Sequence, residues 1–101
     1  MVHPGARDWQ AALQEAGIPA NASNSDIAAA VNELGLDWWF VGATGFDLLN
    51  NSVKFYVARV WEGVGSDRPN ALSENPLWDG YSEQSRDEAL GIALRKYFST
   101  L

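Results

Sequence analysis

Apolar side chains recur along this chain at two periods, and the switch between them marks out the elements. In residues 6–16, Trp9, Ala12, Leu13 and Ala16 return every three or four positions, the spacing of one helix face. Gly17 stands where a helix C-cap belongs, and Pro19 forbids continuation. A second helix is predicted over residues 24–34, where Ile27, Val31 and Leu34 form a stripe with Ala28 and Ala30 beside it. Ser23 and Asp26 have capping-box spacing, Asp26 brings negative charge to the first turn, and Gly35 ends the helix.

From Asp37 to Trp61 the period drops to two. Val53, Phe55, Val57 and Trp61 share one strand face with Arg59, and Tyr56, Ala58 and Val60 share the other with Lys54. β-Branched and aromatic residues dominate, as a packed pleated surface requires. Asn50-Asn51 predicts a hairpin turn, because Asn tolerates positive φ, and Gly42-Ala-Thr-Gly45 predicts a second turn. The strands are then expected near 38–42, 45–49 and 53–61. Trp38 and Trp39 must point to opposite faces. Apolar residues on both faces predict that each is covered, by helices on both sides or by a partner subunit.

Residues 62–84 are punctuated by Gly, Pro, Asn, Asp and Ser. So long a stretch without structure is uncommon, so a helical turn or an extra edge strand is expected near Leu77 to Tyr81, pinned by Trp78 and Tyr81. The last helix opens on the capping box Ser85-Arg-Asp-Glu88 and continues through Leu90, Leu94, Tyr97, Phe98 and Leu101. Gly91 costs about 1 kcal/mol there relative to Ala, which a close approach to the sheet or a neighbouring helix would explain. The expected order is ααβββα: an α+β sandwich of helices on a three-stranded antiparallel meander. Residues 1–101 form one domain, with 1–22 as a helical extension and 23–101 as the core carrying an acidic loop at 62–84.

Charge sharpens this picture. The chain has a net charge of −6, which argues against direct nucleic-acid binding. Glu62 to Glu88 holds seven acids against two bases, net −5, and the rest of the chain is net −1. No apolar run approaches the ~20 residues that span a bilayer, and MVHPGARDWQ lacks the apolar core of a signal peptide, so a cytoplasmic protein with no membrane partner is expected. The absence of cysteine agrees with a reducing compartment.

Candidate chemistry is sparse. One histidine, His3, and no cysteine leave no Ser-His or Cys-His nucleophile and none of the usual transition-metal sites. Gly63-Val-Gly65 begins like a dinucleotide fingerprint, but Arg68 stands where the third glycine belongs. No catalytic, cofactor-binding or metal-binding residues are assigned, and a non-enzymatic protein is expected. The best contact candidate is an aromatic anchor rimmed by acids: Trp78 and Tyr81 with Asp67, Glu74, Asp79 and Glu83. Such a surface suits a protein partner with a basic surface. The alternative is a structural or assembly protein, a homodimer that buries its two-faced sheet against a copy of itself.

Two segments carry a resemblance. Ser25-Asp-Ile-Ala-Ala-Ala30 resembles the S-T-D-I-A-A-A helix of the phage ABA sandwich domain, a family of small bacteriophage proteins. Ser85-Arg-Asp-Glu-Ala-Leu-Gly-Ile-Ala-Leu94 is similar to that family's terminal helix, with its A-I-x-x-A-x-L pattern. The resemblance covers residues 23–98, and Val31 departs from it where the family carries an aromatic. It implies a small accessory protein of phage or prophage origin and brings no catalytic residues; with the acidic, aromatic surface of residues 62–88, the expectation is a protein that binds and inhibits a host protein in the bacterial cell. The order αβββα is also similar to double-stranded-RNA-binding domains, but Glu83, Asp87 and Glu88 stand where those carry a basic cluster. The strand-strand-helix tail is similar to the HicB antitoxins.

Overall fold

The computed structural model describes residues 3–67 and 76–101. Local signals set the helices. Asp8 caps α1 (Trp9–Glu15) by accepting from the Ala11 amide at 2.7 Å. Asp8 itself is extended, so α1 is shorter than the periodicity suggests, and Pro4–Ala6 form a separate 3₁₀ turn before it. Ser23 accepts from the Asp26 amide to open α2 (Asn24–Glu33), and Ser85 accepts from the Glu88 amide to open α3 (Arg86–Phe98).

The sheet is antiparallel, ordered β1 (Leu36–Phe46), β2 (Ser52–Glu62), β3 (Leu77–Ser82). The order ααβββα is the one the sequence predicts, but the strands are partitioned differently. Gly42 to Gly45 form no turn; they lie inside β1, in unbroken register with β2 from Leu36↔Glu62 to Phe46↔Ser52. The two glycines sit across from Tyr56 and Val53, beside the rings of Tyr56 and Phe55. They make room for aromatics rather than bend the chain. The stretch from 37 to 61 is therefore one long hairpin, and the third strand comes from the segment expected to hold an edge strand, near Leu77.

The strands are unequal in length. β3 pairs only with Tyr56 to Trp61 of β2, so the hairpin beyond Gly42 and Tyr56 continues as a two-stranded ribbon. Asp47 shapes its tip, accepting from the Leu49 and Asn51 amides at 2.9 Å each, and Asn50 takes a left-handed φ of 64°.

One core lies between the helices and one face of the sheet. Ile27 and Val31 of α2, Leu90, Ala93, Leu94 and Phe98 of α3, and Leu36, Ala58 and Val60 of the sheet are buried in it. Ala12, Leu13, Ile18 and Ala22 belong to the same cluster, so residues before Ser23 complete the core. Two glycines allow the layers to approach. At Gly80 on β3 a Cβ would overlap the Ala89 carbonyl of α3, and at Gly91 it would come within 2.5 Å of the Trp9 carbonyl of α1. The neighbouring helix is thus what Gly91 accommodates. A polar latch ties the start of α3 to the loop before α2: Arg86 donates to the Ala22 carbonyl at 2.6 Å and to Asn24, while Asp87 accepts from the Asn21 amide.

Candidate protein-binding surface

Alternation decides which side chains are available. Leu36, Trp38, Tyr56, Ala58, Val60, Trp78 and Gly80 face the helices. The opposite face carries Trp39, Val41, Ala43, Val53, Phe55, Val57, Arg59, Trp61, Leu77, Asp79 and Tyr81, and among the described residues no helix packs on it. The sequence predicts a cover on each face, by helices on both sides or by a partner subunit; among the described residues the helices lie on one side only. A sheet with one face outside the core ordinarily carries polar residues there. This one is mostly apolar.

At one end of this open face the turn after β2 closes over it. The Trp61 indole donates to the Ser66 hydroxyl at 3.1 Å, and the Gly65 amide donates to Asp37 at 2.9 Å, leaving Trp61 buried. At mid-sheet, Arg59 and Asp79 make a two-point ion pair across β2 and β3, at 2.6 and 3.0 Å. Its bonds to Asp79 hold the Arg59 guanidinium even more firmly protonated than usual. The Asp79 charge is thereby compensated.

The far end is different. Phe55 stacks on Tyr81 with ring centres 5.9 Å apart, and Tyr81 donates to Glu83 at 3.2 Å. Between these rings and the hairpin tip runs a shallow groove of about 200 Å³, floored by Val53, Phe55 and Tyr81 and flanked by Asp47 and Glu83. Desolvation and then the Glu83 carboxylate push the Tyr81 phenol above its ordinary value. The Asn51 amide, followed by that of Leu49, holds Asp47 below the ordinary carboxylate value, which favours its anionic form. Beyond the groove, Phe46, Leu48 and Leu49 are exposed, Leu48 completely. The tip therefore presents an apolar patch on the order of 400 Å², a size that often marks a contact site.

The six residues singled out by sequence are only partly brought together. Tyr81 and Glu83 form one wall of the groove, with Asp79 on the same face but engaged by Arg59. Trp78 points the other way, against the core, with its ring edge-on to Tyr97 at 5.1 Å. Asp67 is exposed at the end of the turn beyond Trp61, and Glu74 lies outside the described residues. Sequence reasoning missed Asp47, Val53 and Phe55 as partners of Tyr81. The strand alternation already placed Val53 and Phe55 together; the register that sets them beside Tyr81 had no signal.

Among the described residues no group of three His, Asp or Glu side chains is arranged to hold a metal ion, and no helix is long and apolar enough to cross a membrane. Comparison of the chain with models of protein families, with curated proteins and with solved structures returned no match.

Proposed function

We propose that this protein is a non-enzymatic binding module that captures a basic side chain of a protein partner in the groove between the hairpin tip and the end of β3. The observation that carries this reading is the pairing of an aromatic floor, Phe55 and Tyr81, with two flanking carboxylates, Asp47 and Glu83. A lysine or arginine has an apolar stem and a charged head, and such a groove offers a match for each part. The neighbouring Leu48 and Leu49 would add apolar contact on a turn already fixed by Asp47, so little ordering cost accompanies binding. The net charge of −6 would speed encounter with a basic surface. The setting we propose is a phage accessory protein that inhibits a host protein in the cytoplasm; the resemblance of residues 25–30 and 85–94 supports the phage origin, and the acidic surface supports a basic protein partner.

Titration with short peptides that carry arginine or lysine between apolar residues, followed by amide chemical shifts, tests the reading. The expected result is perturbation at Val53, Phe55, Tyr81 and Glu83 that weakens with salt. Tyr81→Ala combined with Glu83→Gln should weaken binding at least about tenfold, since truncated aromatic anchors commonly cost more than 1 kcal/mol. Perturbation elsewhere, or affinity indifferent to both substitutions, would sink it.

A further inference from the structure

The two edges of the sheet are treated differently. An edge strand exposes unpaired backbone groups and invites pairing with another chain, so edges are usually short, charged, bulged or interrupted by proline. β3 follows that rule: it has six residues, Pro76 precedes it, Asp79 lies within it, and Lys96 donates to the Asp79 carbonyl at 2.7 Å. β1 does not. It runs eleven residues without lysine, arginine, proline or bulge, and its one charge is Asp37 near its start.

The Trp38 amide donates to the Asp37 carboxylate, so it is turned away from β2, and the ladder's alternation turns Phe40, Gly42 and Thr44 outward with it. The side chains along this edge are also unevenly distributed. Trp38, Trp39 and Phe40 are bulky, Gly42, Ala43, Thr44 and Gly45 are small, and Val41 divides them. An antiparallel pairing of β1 with a second β1 about Val41 sets Phe40 opposite the second copy's Gly42, Trp39 opposite its Ala43 and Trp38 opposite its Thr44. Asp37 then meets the second copy's Gly45, so no like charges face each other.

We propose that β1 is a self-pairing edge: two copies of this chain join β1 to β1 about a two-fold axis through Val41, making one continuous six-stranded sheet. Trp38, Trp39 and Phe40 are half-buried within one copy, so the pairing covers what they still expose together with the backbone of the edge. An interface of one strand pair is small, and the dimer is expected to dissociate on dilution.

Because the chain lacks cysteine, a Val41→Cys variant gives a clean test. On the axis Val41 faces itself in a non-hydrogen-bonded pair, with Cα atoms ~4.5 Å apart, within the range a disulfide needs. Mild oxidation should yield a covalent dimer from Val41→Cys and none from a Tyr81→Cys control. In sedimentation runs from about 5 to about 500 µM, the native chain should shift from monomer to dimer. Val41→Glu and Val41→Lys should each associate at least about tenfold more weakly, because like charges meet on the axis, while an equimolar mixture of the two regains dimer. A native chain that stays monomeric throughout would overturn the proposal. So would a dimer indifferent to both charge substitutions, or one cross-linked through Tyr81→Cys in place of Val41→Cys.

Discussion

Gly80 carries more of the architecture than its size suggests. It lies on the helix-facing side of β3, where the Ala89 carbonyl of α3 occupies the space a Cβ would need. The neighbour is backbone, which cannot swing aside as a side chain could. Gly80→Ala must therefore shift α3 or β3, both built into the core, and overpacking of this kind costs about 3 kcal/mol. Chemical denaturation should show that loss as a lower midpoint with an unchanged slope. Gly91 answers the same need against α1, although its neighbour is a turn of another helix. The cost of a helix glycine is visible in the sequence; the surface that requires it is not.

Among the elements, the β1–β2 hairpin departs furthest from expectation. Its tip depends on one carboxylate, since Asp47 organises the turn by accepting from Leu49 and Asn51. Those bonds favour the ionised form and hold its pKa below 3.8. A depressed carboxylate pKa means that the turn's contribution is fully present above the unfolded value and is lost as pH falls through the folded one. The Leu49 and Asn51 amide resonances should therefore move together on acidification, with a shared midpoint below the ordinary aspartate value. A midpoint at or above the ordinary aspartate value would show that Asp47 does not organise the turn. The glycines of β1 were open to two interpretations because the same residue that permits a turn also makes room for a ring. Tyr56 and Phe55 decide between them, and both lie on the other strand.

For the molecule as a whole, the asymmetry between the two sheet faces is the central fact. Among the described residues the helices lie on one side, and α1 with the loop after it supplies Ala12, Leu13, Ile18 and Ala22 to the same core as Leu90 and Phe98. Residues 11–22 thus contribute to the core. Leu13→Ala should cost about 2–4 kcal/mol and melt the chain in a single transition. A small loss, or a separate early transition, would instead mark α1 as an appendage. The opposite face keeps its aromatic and aliphatic surface, interrupted by the Arg59–Asp79 pair and ending in the groove beside Tyr81.

The sequence by itself determined the helices, the N-caps of α2 and α3, the element order and the side of each residue within a strand. Those features depend on contacts between residues a few positions apart: Ser23 with Asp26, Ser85 with Glu88, and the strict alternation of Val53 to Trp61. Only the tertiary structure decided that Gly42 to Gly45 continue a strand rather than turn, that Leu77–Ser82 form a strand rather than a helical turn, and which sheet face the described helices leave open. It also split the acidic, aromatic segment, turning Trp78 to the core and Tyr81 outward, and it gave Asp79 a partner in Arg59. The latter outcomes turn on a register between β2 and β3 that pairs residues as far apart in sequence as Tyr56 and Ser82. A pairing of that kind is selected by how whole faces pack, and a local pattern does not encode it.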